Sequence, residues 1–417
     1  MKKTLLAAAA IVAAVMALAP LGAQASTAPA PHRINLHAAF GRALRAAPVN
    51  GRVAGVVPPV GRRITAARPA AATTCTEPNC NLTYGGGAVE SAPRVYLLLW
   101  GPNWTPADPV SNDLSKLYSG LGSSSDSWST VTNQYGPAFS GSVFMGTFND
   151  IATPPAVVGY SDLSAEADAF ATSQGIAGDV NAQVVIASQS GTCFDTSDGG
   201  FAGSCGSPGN GAYCAWHSYD GLVAFTNLPY MLDAGAICGE NWINRGSNGL
   251  TDGVSIIAGH EYAETAIDPE PTSGWADNAD TISGGEVGDK CAWGGTIWGG
   301  HDAQGNVTLA TGTFAMQSLW SNAAGRCILT TSPVVSITRP RNQQTILNHR
   351  VLLRIHASTN SGFKVTFRAS HLPTGLHIGP AGLITGKATR LGRWVVTVTA
   401  TTYGAHKSTS FIWKVIR

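Results

Sequence analysis

Acidic residues are missing from both ends of this chain. Residues 26–74 contain no Asp or Glu, and neither do residues 332–417. The first of these segments carries seven arginines and the second carries twelve Lys or Arg. All 25 acids lie between Cys75 and Thr331, against only Arg94, Lys116, Arg245, Lys290 and Arg326, a local charge of −20 inside a chain of net +1. Charge of either sign is scarce, at 12% of 417 residues, while 44% are hydrophobic, enough for packed cores in two domains. No C-x-x-C pair occurs, which excludes the usual cysteine zinc site. No G-x-S-x-G elbow offers a serine nucleophile. After the first 25 residues no apolar run is long enough to cross a membrane.

What the N-terminus does have is an export pattern. Lys2 and Lys3 precede the apolar run Leu5 to Leu18, and Ala23-Gln24-Ala25 follows as a small-x-small cleavage site. Residues 1–25 therefore read as a signal peptide rather than an anchor. Eight cysteines fit the same compartment: Cys75, Cys80, Cys193, Cys205, Cys214, Cys238, Cys291 and Cys327. An even set in an exported chain reads as disulfides, and pairing in sequential order is the simplest map. A secreted, extracellular or cell-wall-associated monomer is the expectation. Residues 26–79, rich in Ala, Pro and Arg, read as a basic propeptide or linker.

Residues 80–331 read as an α+β catalytic domain with a mixed sheet and disulfide-pinned loops. Arg94 to Trp100, Ala182 to Ala187 and Leu222 to Thr226 are strand candidates. Leu114, Leu117, Tyr118 and Leu121 recur at helical spacing, and Ser164 to Gln174 reads as a second helix capped by Ser164. Residues 332–417 change character. Val351–His356, Phe363–Ser370, Trp394–Thr399 and Ser408–Val415 alternate with turns, the pattern of a small all-β sandwich. The runs LPTGLHI (372–378) and GLITGKAT (382–389) resemble the immunoglobulin-like modules appended to bacterial secreted enzymes. Twelve cations without an anion point to an anionic cell-wall polymer as partner; nucleic acid is not expected for an exported protein.

The chemistry concentrates in GHEYAETAIDP, residues 259–269. Thr251-Asp252 opens a helical stretch with Asp252 as N-cap, and Asp268-Pro269 closes it. On such a helix His260 and Glu264 stand at i and i+4, on one face, with Glu261 beside them. Two ligands can then grip one metal while a free carboxylate handles protons. Random placement of the chain's ten His and eight Glu gives roughly 0.004 such motifs, so chance is a poor explanation. The competing reading is a solvated helix face, although no lysine partners stand nearby. The third ligand must come from elsewhere. Glu286, in GGEVGDKC (284–291), ranks first; Asp289 and Asp268 follow, then His217 and His301. Asp289 could instead orient a ligand imidazole.

Tyr84–Val89 (YGGGAV), RVYLLLWGPNW (94–104) and the cysteine loops ending in Cys214-Ala215-Trp216 resemble the phosphate-induced, EXORDIUM-like secreted family of plants and bacteria. The helix motif with Asp268-Pro269, Gly274-Trp275 and Glu286-x-Gly-Asp289-x-Cys291 is similar to bacterial members and to zinc-peptidase-like relatives. The resemblance implies export and wall association, and it leaves catalysis open because plant members can lack the His-Glu pair.

Together these readings predict a secreted zinc peptidase with His260, Glu264 and Glu286 as metal ligands and Glu261 as general base. One imidazole and two carboxylates would neutralise a dication, leaving its water less acidic than at a two-histidine site. The alternatives are a non-catalytic wall protein, or a glycan hydrolase using Glu261 and Glu286 as a carboxylate pair. Calcium at Asp277, Asp280 and Asp289 is a further option, without an ordered D-x-D-x-D-G run to support it. Trp216 and Trp293, each in a Cys-Ala-Trp run, could line a sugar cleft or pack on disulfides.

Overall fold

The computed structural model describes residues 31–36, 54–60, 80–136, 139, 141–196, 200–203, 205, 213–280, 284–298, 304–331, 335–359, 365–402 and 405–417. The expected signal peptide, His301, Cys75 and the Arg62-Arg63 pair lie outside them.

In the first part of the chain the strands are β1 (His32–Ile34), β2 (Ala54–Val57), β3 (Thr83–Tyr84), β4 (Arg94–Trp100), β5 (Phe144–Asp150), β6 (Ala182–Ser188), β7 (Ala215–Tyr219), β8 (Ala224–Leu228) and β9 (Trp275–Ala276). The helices are α1 (Pro109–Gly120), α2 (Tyr160–Gln174) and α3 (Asp252–Ile267). Seven strands form one sheet in the order β1-β5-β4-β6-β8-β7-β2. From β1 to β8 neighbours run parallel; β7 and β2 run antiparallel to their neighbours. Short β3 and β9 pair separately.

Helices alternate with the strands here. α1 carries the chain from β4 to β5 and α2 from β5 to β6. Parallel neighbours need such crossovers, so the sheet is mixed, as the α+β reading expected, and its parallel part alternates strand and helix in α/β fashion. Central β4 and β6 are covered on both faces, which is why RVYLLLW and AQVVIAS are nearly continuous apolar runs. Two predicted caps are corrected. α2 starts four residues before Ser164, because Asp162 at the third helical position accepts the Gly159 N–H at 3.0 Å. Asp252 lies inside α3; its carboxylate accepts from Ile243 N at 2.7 Å and Asn244 N at 2.6 Å instead of capping its own helix.

Three disulfides have the sequential pairing expected: Cys193–Cys205, Cys214–Cys238 and Cys291–Cys327. Cys80 is also disulfide-bonded. Two hairpin-like pairs complete this part: β10 (Gly305–Leu309) with β11 (Gly312–Met316), and β12 (Leu319–Ser321) with β13 (Arg326–Ile328).

The C-terminal region is all β. β14 (Val335–Ile337) pairs with β17 (Ala357–Thr359). One sheet has the order β15 (Gln343–Ile346), β22 (Ala405–Ile416), β21 (Gly392–Thr402), β18 (Thr366–Ser370); the other is β16 (Arg350–Arg354), β20 (Leu383–Lys387), β19 (Leu376–Ile378). Between them Val351, Ile384, Val396, Val398, Phe411 and Trp413 form a core separate from that of the first part. Alternation along β21 and β22 puts one residue in two inward. Every described Lys and Arg of residues 335–417 is exposed.

Candidate metal centre

α3 is no surface helix: all 16 of its residues are buried. It packs against α1, β2, β7 and β11. Val254, Ile256, Ile257 and Ile267 are each about 3% exposed or less, and such burial stabilises by roughly 1.5–3 kcal/mol per side chain. His260, Glu261 and Glu264 go inside with them at 0% exposure. Solvated-face chemistry is excluded by that burial, and polar groups at such depth need partners.

Their partners converge from three other segments. β7 brings His217, whose Nδ1 lies 3.1 Å from Glu261 Oε2 and 3.6 Å from Glu264 Oε2. The loop entering the 3₁₀ turn at Asp289–Trp298 brings Glu286, 3.6 Å from His217 Nε2, and Asp289, 3.4 Å from His260 Nε2. His260 Nε2 is 2.9 Å from Glu264 Oε1. Gln317, after β11, contacts His260 Nδ1 at 3.2 Å and donates to Gly288 O at 2.9 Å. Two triads have donor atoms that all lie within 4.8 Å of one another: His260–Glu264–Asp289 and His217–Glu261–Glu264. Glu264 belongs to both.

The loop's glycines have a geometric reason. A Cβ on Gly288 would stand 2.8 Å from His260 Nδ1 and 2.9 Å from Glu264 Oε1. Its absence lets Gly288 N and Asp289 N donate to Glu264 Oε1 at 3.1 and 2.9 Å. Gly284, at φ +116°, would put a Cβ against the Asp289 carboxylate.

Electrostatics follow from burial and crowding. Burial and the Glu264 charge push Asp289 up to about 7. Burial, with the same neighbour, drives Glu286 well above the ordinary range, and burial does so for Glu261. Burial pulls His217 down to about 4. His260 and Glu264 go the other way. Burial opposes the charge on each, yet their mutual attraction holds His260 well above and Glu264 below its usual value.

Six buried atoms in the cluster make no hydrogen bond: His217 Nε2, His260 Nε2, Glu261 Oε1, Glu264 Oε2, Glu286 Oε1 and Asp289 Oδ1. Nitrogen and carboxylate oxygen donors that approach closely without hydrogen-bonding suit a borderline divalent cation between them. The residues therefore fit a metal.

The sequence placed these residues in a different grouping. Glu286, the first choice of third ligand, falls in neither triad because it turns toward His217 Nε2; Asp289, three residues later, reaches His260. Asp268 stands at the cluster's edge, with a side-chain hydrogen bond to Glu286, and belongs to neither triad. Its carboxylate accepts from Thr272, Ser273 and Gly274 N–H at 2.6, 3.1 and 2.6 Å, clamping the turn after α3, and burial lifts it to about 6. The calcium expectation meets a cation already in place: Lys290 Nζ lies 2.8 Å from Asp277 Oδ2 and 3.3 Å from Asp280 Oδ2. Trp216 and Trp293 are fully buried, so neither lines an open sugar cleft. Gln317 was missed, and Met-Gln-Ser-Leu-Trp carries no signal that could have found it.

Comparisons with known proteins illuminate the other end. Residues 328–416 match the family model described as "Putative Ig domain" (He_PIG). No curated protein matches the chain. Among solved structures, a "putative alpha-galactosidase/melibiase" of Bacteroides fragilis is similar over 20% of this chain and 17% of its own, at 20% identity and TM-score 0.18. Drosophila N-cadherin EC1-3 is similar over 26% of this chain and 38% of its own, at 13% identity and TM-score 0.18. The Ig1-2 module of the Drosophila receptor phosphatase DLAR is similar over 25% and 55%, at 11% identity and TM-score 0.18. The chain spans less than a fifth of the galactosidase's length, and likenesses at these TM-scores carry no functional argument. The C-terminal region is thus an immunoglobulin-like domain by its family model and its β architecture.

Proposed function

We propose that this chain is an exported, metal-dependent peptidase, held at an anionic cell-wall surface by its basic immunoglobulin-like module. One observation carries the reading: two histidines and four acids crowd together inside the molecule, around a helix reading H-E-x-x-E, and six of their buried polar atoms make no well-aligned hydrogen bond. His260, Glu264 and Asp289 are the proposed ligands, with zinc the metal that suits this donor set. When bound, the cation polarises a scissile carbonyl and makes water a better nucleophile. Glu261, raised above the ordinary carboxylate range, takes a proton from the attacking water and returns it to the leaving amine as the C–N bond breaks. His217 positions Glu261 through the 3.1 Å contact to its Oε2. Gln317 holds the His260 ring from the opposite side, the task expected of a residue behind a ligand imidazole.

The glycan-hydrolase alternative needs Glu261 and Glu286 to face a sugar between them. The His217 imidazole contacts one carboxylate at Nδ1 and the other at Nε2, filling that interval. This favours the metal reading over a carboxylate pair. Disulfides at three sites support an oxidising, extracellular location.

The test is metal analysis of purified protein followed by a casein assay. Near-stoichiometric zinc, lost in Glu264→Ala, is expected. Glu261→Gln should keep the metal and lose hydrolysis. Protein that takes up no divalent metal sinks the proposal and leaves the wall-associated, non-catalytic reading.

A further inference from the structure

β7 carries His217 and has β8 on one side only. Its other edge is taken by β2, from the arginine-rich segment that precedes the acidic domain. The pairing is antiparallel, with Ala54 opposite His217 and Val57 opposite Ala215. Further bonds seat the segment: Cys214 N donates to Val57 O at 2.7 Å, Trp293 Nε1 donates to Pro58 O at 2.7 Å, and Val60 N donates to Ile237 O at 2.8 Å. Val57, Pro58 and Pro59 are buried. β2 packs on α3 and on the 3₁₀ turn that begins at Asp289, the elements that carry the cluster.

Trp293 adds a second kind of observation. It is a bulky residue held at φ 51°, in the left-handed region, with its indole aimed at Pro58 O. Non-glycine residues occupy that region only at a cost in strain, and they gather at binding sites. The strained residue here serves to hold an extended strand.

An open sheet edge recognises an extended peptide by main-chain bonds, whatever its side chains. We propose that the edge of β7 away from β8, between α3 and the 289–298 turn, is a binding site for an extended, uncharged polypeptide strand, and that residues 54–60 fill it as a built-in occupant. The sequence of that occupant, AGVVPPV, has no charge, and arginines bracket it at Arg52 and Arg62-Arg63. Because the backbone at Ala54 lies opposite His217, a strand on this edge runs beside the cluster. The inference rests on the peptidase reading for what happens to a bound strand, though not for the binding itself. Release of the segment would open the edge to other polypeptides. While tethered it competes at an effective concentration of the order of millimolar.

The test uses the full chain with a specific-protease recognition sequence placed at Arg62-Arg63, intact and cut. The probe is a fluorescent peptide of residues 52–62, read by anisotropy, with casein hydrolysis measured in parallel. Cut protein, after removal of the released segment, should bind the peptide at least 100-fold more tightly than intact protein. A peptide N-methylated at Val60, which removes the donor to Ile237 O, should bind about tenfold more weakly. Casein hydrolysis should rise on cutting. If the cut chain loses its fold, Trp293→Phe in the intact chain serves instead. It deletes the donor to Pro58 O and should increase peptide uptake. Peptide binding without casein hydrolysis would support the strand site while removing the peptidase reading. Equal peptide binding by cut and intact protein, no binding by either, or full hydrolysis by the intact chain would overturn the proposal.

Discussion

Lys290→Met offers a demanding test of how the candidate centre is supported. Lys290 is fully buried between Asp277 and Asp280, and its ammonium lies 5.1 Å from the Trp320 ring centroid. Methionine keeps the apolar stem and removes the charge, so the packing loss is small. What remains is two buried carboxylates without their cation. Breaking a buried pair from one side costs about 3–5 kcal/mol. For a domain of this size each kcal/mol moves the melting temperature by roughly 2–4 °C, so a fall of about 6–20 °C is expected. The variant should also bind zinc about 10- to 100-fold more weakly, since Lys290 anchors the segment that presents Asp289. Thermal unfolding by circular dichroism gives the first number and competition with a chelating dye the second. Combining Lys290→Met with Asp277→Asn and Asp280→Asn should recover most of the stability, because the stranded charges go too. A single variant melting within about 1 °C of the parent, or a triple variant no better than the single, would refute the reasoning.

Gly288→Ala places a methyl group against His260 and Glu264; overpacking of about 1–3 kcal/mol and loss of zinc in metal analysis are expected, with the disulfides intact. Glu90, buried and accepting from Gln183 Nε2 at 2.9 Å, has its pKa raised well above the usual range by burial. The native state therefore keeps a proton that the unfolded chain loses near pH 4, so stability falls as pH rises from there toward the native pKa. Urea titrations across that window should show a shallower slope for Glu90→Gln. Residues 332–417 produced alone should bind an anionic wall polymer in pull-down at low salt and release it near 0.5 M, where screening lengths are only a few ångströms.

How much of this was legible in the sequence depended on whether a feature was local. The helix 252–267 announced itself by spacing and by Asp268-Pro269, and the strands 94–100 and 182–188 by unbroken apolar runs. Caps were misread because Asp252 and Ser164 are satisfied by distant groups, the backbone of residues 243–244 and Asp220. Sheet order was out of reach: nothing local says that β2, in a segment that reads as linker, pairs with β7 some 160 residues later. For the same reason His217 ranked low as a ligand although it touches Glu261. The C-terminal module was the easiest part, since alternation in short strands survives without long-range information.

The harder quantity to read was charge at depth. Glu261, Glu264, Glu286 and Asp289 are four potential negative charges that lie with two imidazoles inside the fold, each 3% exposed or less. Unpaired, such charges cost more than a fold can sustain. Two ways of closing the balance exist. In one, protons do it: His260 and Glu264 attract each other as an ion pair, while burial raises the proton affinity of Glu261, Glu286 and Asp289. In the other, a divalent cation displaces those protons and takes up the unpartnered atoms. The two states compete, so metal affinity must rise with pH as the protons become easier to remove. The H-E-x-x-E spacing alone could not reveal that competition. It arises from placing the motif on a helix buried on every side, against a strand and a glycine-bearing loop that add two further acids and a second imidazole.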